Sequence, residues 1–156
     1  MSMNRLYDIT HIVHVAQAKD WTTTATALEC VNLHNYDGVL FLFSIGNIAG
    51  DCTLIMEKCT AADGSGNTAI TFHYKIGCVV LTDDTLTAST SASLTISNAS
   101  DDSKVIAVDV RGDEIGPAYD WIRPYITPAG AATLMSCIAI GYNYANLSAV
   151  QATMIA

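Results

Sequence analysis

The stretch Leu86-Thr-Ala-Ser-Thr-Ser-Ala-Ser-Leu-Thr-Ile96 decides the fold class, because it alternates with a period of two. All of its Leu, Ala and Ile residues stand at even positions, and the odd positions hold only Ser and Thr. Successive side chains of a β-strand point to opposite faces of a sheet, so this pattern is typical of a half-buried strand and does not fit a helix. The sequence predicts one strand here, with Leu86, Ala88, Leu94 and Ile96 on the same face.

The same alternation recurs along the chain, and Gly, Asn and Asp clusters that favour turns separate the segments. Many short strands at near-regular spacing are typical of an all-β sandwich or barrel. Further strands are predicted at Thr22–Val31, Val39–Ser44, Asp51–Thr60, Ile70–Ile76, Ile106–Arg111, Trp121–Ile126 and Leu134–Tyr144.

A chain of 156 residues is large enough to bury its own core, and one domain is the simplest organisation. We expect an N-terminal arm over residues 1–20, a β-sandwich over residues 21–145 and a C-terminal tail over residues 146–156. In an assembly such an arm commonly lies on a neighbouring subunit and is held by apolar anchors. The predicted anchors are Leu6, Tyr7, Ile9, Ile12 and Val13.

The composition is 51% hydrophobic and only 14% charged, with a formal net charge of −8. Soluble domains devote about a quarter of their residues to charged side chains, so we expect other protein chains to cover part of this surface. The few basic residues are scattered singly, which argues against nucleic-acid binding. The apolar runs Val39–Ile45 and Leu134–Ile140 are too short to span a membrane. No secretory signal is recognisable, so we expect synthesis in a cytosol.

The five cysteines form no CxxC pair, and each lies in an apolar or strand-like context. Free cysteine packs as a small hydrophobic residue, so buried free thiols are predicted rather than disulfides or a metal site.

No catalytic motif stands out, so we expect neither an enzyme nor a cofactor. His11 and His14 are three residues apart, which places them on opposite faces of a strand and lacks a third metal ligand. The loop Asp63–Asn67 does not continue as a calcium-binding EF-hand. An enzyme such as a glycan hydrolase or a metal-dependent cupin stays open, and it requires clustered His and carboxylate groups near His73.

Tyr119, Trp121 and Tyr125 form the aromatic-rich segment of the chain. Exposed rings at this spacing would form a platform on which sugar rings stack, and the alternative is cross-strand packing, because Tyr and Trp favour strands. Binding of carbohydrate through such a platform is therefore the alternative function.

A resemblance to a known family rests on the order of four segments. These are Asn35-Tyr-Asp-Gly-Val-Leu-Phe-Leu-Phe-Ser-Ile-Gly-Asn-Ile-Ala-Gly-Asp-Cys-Thr-Leu-Ile-Met-Glu-Lys58, Lys104-Val-Ile-Ala-Val-Asp-Val-Arg111, Trp121-Ile-Arg-Pro-Tyr-Ile-Thr127 and the apolar strand Ala132–Tyr142. Over about residues 21–144 the chain resembles the head decoration, or cement, proteins of tailed bacteriophages. The resemblance implies a jelly-roll β-sandwich of about eight antiparallel strands with an extended N-terminal arm. It also implies a homotrimer on the outer surface of an icosahedral capsid, which stabilises the shell by bridging neighbouring major capsid subunits. In this setting the alternative function is a carbohydrate- or receptor-binding module of a virion, in a head fibre, tail or baseplate.

Overall fold

The computed structural model describes residues 10–21, 24–77 and 86–142. Within these ranges the chain forms short and long strands joined by turns, with one helical turn. In chain order the elements are β1 (Thr10–Asp20), β2 (Thr26–Ala27), β3 (Val31–Asn32), β4 (Gly38–Ile48), β5 (Cys52–Cys59), β6 (Thr68–Ile70), β7 (Phe72–Gly77), β8 (Leu86–Ser91), β9 (Leu94–Ile96), β10 (Val105–Arg111), α1 (Gly112–Ile115), β11 (Trp121–Thr127) and β12 (Thr133–Tyr142).

The strands form two sheets, which confirms the predicted all-β sandwich. The first sheet has the order β1-β12-β4-β10-β7-β8, and the second has the order β2-β11-β5-β6, with β3 also paired to β11 and β9 to β5. Every pairing is antiparallel. Eight strands have six residues or more, which agrees with the expected number. No helix in the described ranges is long and apolar enough to cross a membrane.

The core lies between the inner faces of the two sheets. Alternate residues of β4 point into it, and Phe41 and Phe43 are fully buried there. β11 alternates in the same way, with Ile122 and Ile126 inside. Burying an aliphatic or aromatic side chain contributes about 1.5–3 kcal/mol, so this layer supplies the main stabilisation of the fold.

Two segments that were predicted as single strands are each divided between the sheets. Leu86–Ile96 forms β8 in the first sheet and β9 in the second, and Ile70–Ile76 is interrupted at Thr71. The prediction that Ala88 shares a face with Leu94 is wrong, because Ala88 is exposed beside Lys75 whereas Leu94 is buried. The inward parity changes at the corner after Ser91: odd positions face inward in β8, where Ser91 pairs with buried Phe72, whereas even positions are buried in β9. At Thr71 the parity is kept, since Ile70 and Phe72 are both buried, and that corner is invisible in the pattern.

The structure revises the predicted arm and its boundary at residue 20. Thr10–Asp20 is an edge strand of the first sheet, paired with β12. Val13 packs against the core, so it is not a free anchor, whereas Ile12 points outward and is 54% exposed. The predicted anchors Leu6, Tyr7 and Ile9 lie outside the described residues, as does the predicted tail over 146–156.

Candidate functional site

The outer face of the first sheet, turned away from the core, is apolar at its centre. The register of β12 on β4 places Ile138 beside Leu42 and Ile140 beside Leu40, and Ile12 of β1 continues the second row. Leu134 lies on the same side of β12, because the burial of that strand alternates without interruption. We call this surface the apolar face and define it by Ile12, Leu40, Leu42, Leu134, Ile138 and Ile140.

The apolar face is open to solvent in the isolated chain. Ile12 is 54% exposed and Leu134 is 43% exposed, and they are the large apolar side chains with the greatest exposure among the described residues. Leu40, Leu42 and Ile138 are half-buried by their neighbours in the sheet. Scattered exposed apolar residues are common on protein surfaces, but a contiguous group across several strands marks an interaction surface.

Two glycines of β4 shape this face. A Cβ atom at Gly38 would collide with the ring and hydroxyl of Tyr142, and one at Gly46 would lie 2.9 Å from Leu134 Cδ2. Because glycine has no Cβ atom, the side chains of Tyr142 and Leu134 on β12 lie close to the backbone of β4 at Gly38 and Gly46. The Tyr142 hydroxyl donates a hydrogen bond of 2.9 Å to the Asp109 carboxylate. The pKa of Tyr142 is raised, mainly because the hydroxyl is buried and secondly because the carboxylate lies beside it.

Charged groups on this side of the molecule lie toward β7 and β10. Lys75 and Asp109 occupy outward positions there, and His73 Nε2 lies 3.6 Å from Glu114 Oε1. Neither β4 nor β12 contains a charged residue. An apolar centre with polar groups at its margin is the usual anatomy of a protein–protein interface.

The second sheet has a different outer surface, built around an ion pair. Arg123 of β11 lies opposite Glu57 of β5; its Nε donates a hydrogen bond of 2.9 Å to Glu57 Oε2, and its Nη2 lies 2.9 Å from the same oxygen in an ion pair. Their side chains are only 13% and 15% exposed. Burial alone would lower the pKa of Arg123, but the hydrogen bond and charge of Glu57 outweigh it and the pKa is raised. The loop containing Gly64 closes over the guanidinium.

The three aromatic residues predicted as a sugar platform are placed separately. Tyr119 lies in the turn before β11, where it packs against the core and where Lys58 Nζ is 4.3 Å from its ring centre. Trp121 and Tyr125 share the outer face of β11, with the covered side chain of Arg123 between them. All three rings are half-buried. Tyr119 lies outside the strand and so does not share a strand face with Trp121. Binding of carbohydrate by the three predicted residues stays a prediction.

The histidines are distributed over different surroundings. His11 faces inward and its Nδ1 atom lies 2.9 Å from the Tyr36 hydroxyl, whereas His14 points outward, as expected for residues three apart in a strand. His34 Nδ1 lies 3.4 Å from Asp120 in an exposed pair. Among residues 10–21, 24–77 and 86–142, no three His, Cys, Asp or Glu side chains come together as a metal site.

Cys30, Cys52, Cys59 and Cys137 are buried free thiols, as predicted, and Cys78 lies outside the described residues. Burial raises the pKa of Cys52 to about 11 and that of Cys59 to about 12. A thiol must ionise to act as a nucleophile, so these groups are unreactive in the folded chain.

Sequence reasoning did not single out the apolar face, although a signal for it was present. Val39–Ile45 and Leu134–Ile140 carry apolar residues at both odd and even positions. In a strand of a two-layer sandwich, one parity fills the core and the other faces outward. A strand that is apolar on both parities therefore indicates a second surface that something must cover.

Comparisons with known proteins were made for the whole sequence. No family model matches it, and no curated protein matches it. A chain in the structure of infectious bursal disease virus Gt strain is similar over 85% of this chain, with 12% sequence identity and a TM-score of 0.21. The present chain spans 36% of the length of that chain. A similarity of this size carries no argument about function.

Proposed function

We propose that the chain is a structural protein of a virion that decorates and stabilises an icosahedral capsid. The observation that carries the proposal is the apolar face, a broad uncharged surface that no described part of the chain covers. Exposing such a surface to water is unfavourable, so it favours a protein whose working state is an assembly. The low content of charged residues supports the same conclusion.

The finer parts of the proposal come from the resemblance to phage cement proteins. We propose a homotrimer on the outer surface of the capsid, made in the host cytoplasm and bound to the major capsid protein. No catalytic role, cofactor, nucleic acid or membrane enters this function. Contacts that exist only on the assembled shell stabilise that shell by mass action. The net charge of −8 suits an exterior that does not bind packaged nucleic acid.

The decoration assay mixes purified full-length chain with heads of its virus that lack it and measures co-sedimentation. We expect saturable binding and greater resistance of the decorated heads to heat. Failure to bind heads, together with absence of the chain from purified virions by mass spectrometry, would overturn the proposal. Binding of the chain to a glycan array through Trp121 and Tyr125 would favour the alternative function.

The structure determines how the N-terminal contact has to be tested. Removing residues 1–20 would delete the edge strand β1 and expose the flank of β12. Removing residues 1–9 takes Leu6, Tyr7 and Ile9 while leaving every described residue in place. We expect this shorter truncation to weaken head binding without lowering the stability of the sandwich.

A further inference from the structure

We propose that a second copy of this chain covers the apolar face, which is then a two-fold contact between the same faces of two copies, while the contacts that close the proposed homotrimer lie on other surfaces of the chain. The inference rests on the proposed function and deepens it, because it names what lies on the surface that the function requires. It assigns the contact with the capsid to other parts of the chain, including the segment before β1.

The apolar face supplies part of the area that a contact between two copies needs. It lies on β1, β12 and β4, three of the six strands of its sheet, and at about 4.8 Å spacing and about seven residues of strand length it covers about 300 Å² in projection, against about 600 Å² for the whole outer face of the sheet. A stable interface buries about 800 Å² of accessible surface per partner. A specific contact between two copies therefore extends from the apolar face over the neighbouring strands β10 and β7.

The distribution of charge favours contact at this face over other parts of the surface. Two copies each carry a net charge of −8, so they repel each other wherever their acidic side chains meet. The strands β4 and β12, which hold most of the apolar face, carry no charged residue. Beside them, Asp109 of β10 and Lys75 of β7 offer one group of each sign. The apolar face is thus a place where two like-charged copies approach with little Coulomb repulsion.

The apolar face has both protruding side chains and shallow depressions. Ile12 and Leu134 protrude, as their exposure shows. One shallow depression is lined by apolar Leu40, Leu42, Ala88 and Ala107 on one side and by polar groups that include His73, Lys75, Asp109 and Tyr142 on the other. A second, more apolar depression is lined by residues around Leu42 that include Val105, Ser136 and Ile138. Packed sheets lie about 10 Å apart with interdigitated side chains, so this second depression of one copy is the place for a protruding residue of the other.

The test measures the molar mass of the full chain by light scattering during gel filtration, over a wide range of protein concentration. We expect the unmodified chain to be an oligomer. Ile12→Glu and Leu134→Glu should each raise the dissociation constant at least about tenfold, because each places a charge in a desolvated contact. Ile12→Gln, which adds no charge, should weaken association less.

The matched controls are Thr95→Glu and Thr127→Glu, which place the same charge at exposed positions of the second sheet. We expect these variants to associate like the unmodified chain. Circular dichroism melting should show that all variants are folded, since Ile12 is more than half exposed and its replacement leaves the core intact.

The outcomes separate this inference from the proposed function. A monomeric unmodified chain, or face variants that associate as tightly as the controls, would overturn the inference. If such a monomer still decorates heads and Ile12→Glu abolishes decoration, a capsid protein is the occupant and the proposed function survives. If the face variants dissociate the oligomer but the unmodified chain never binds heads, the inference stands and the proposed function fails.

Discussion

The ion pair between Arg123 and Glu57 makes a quantitative prediction about stability. Arg123→Met removes the hydrogen bond of 2.9 Å and the ion pair, and it leaves the Glu57 carboxylate, which is only 15% exposed, without its charged partner. Breaking a buried pair in this way costs about 3–5 kcal/mol of the free energy of unfolding. Because both side chains keep some exposure to water, we expect the lower end of this range, about 3 kcal/mol. In a chain of this size such a loss lowers the melting temperature by about 6–12 °C.

Urea unfolding at a fixed protein concentration measures this loss, since association would otherwise shift the apparent stability. The matched control is Arg111→Met, because Arg111 and Asp113 form an exposed pair with side chains 63% and 72% exposed. An exposed pair contributes about 0–1 kcal/mol. Glu57→Gln with Arg123→Met should cost less than the sum of the single changes, because the double variant leaves no charge unpaired. A loss for Arg123→Met no larger than that for Arg111→Met would refute this reasoning.

Three other predictions concern the first sheet and the buried thiols. Burial raises the pKa of Cys52 in the folded chain from its ordinary value of 9.0 to about 11. The neutral thiol therefore contributes fully to stability below pH 9, and this contribution is lost as the pH rises toward 11. Cys52→Ala should reduce this loss of stability at alkaline pH, as measured by urea titrations. Tyr142→Phe should cost about 1–2 kcal/mol by removing the hydrogen bond to Asp109, and an unchanged urea midpoint would show that the bond is not formed. Gly38→Ala should cost at least as much, about 1–3 kcal/mol, because its Cβ displaces the Tyr142 ring; a fully stable variant would contradict the close approach of the two strands.

The fold class could be predicted from the sequence because period-two alternation depends only on which side chains enter the core. Ile106, Val108 and Val110 are buried as their spacing predicts. The corner at Thr71 could not be predicted, because Ile70 and Phe72 both stay inward as the chain moves from one sheet to the other. The corner after Ser91 was missed because the small Ser, Thr and Ala residues of β8 do not show which of its faces is inward. The role of Thr10–Asp20 was missed for another reason, since pairing with β12 joins the two ends of the chain and has no local signal.

The candidate site was predictable only in kind. The low content of charged residues indicated that some surface is covered. The strands β4 and β12 have apolar residues at both odd and even positions, and this pattern indicated that their outer faces belong to that surface. Their meeting on one face depends on the pairing of Leu40 with Ile140 and of Leu42 with Ile138, which are about a hundred positions apart in the sequence. Long-range register of this kind is fixed by tertiary packing and leaves no mark within either segment.

A density map of the chain in its native assembly tests the central claim most directly. The account predicts that protein covers the apolar face, with Ile12 and Leu134 buried against another chain. A map in which this face lies open to water, while contacts are made through other surfaces, would contradict the account.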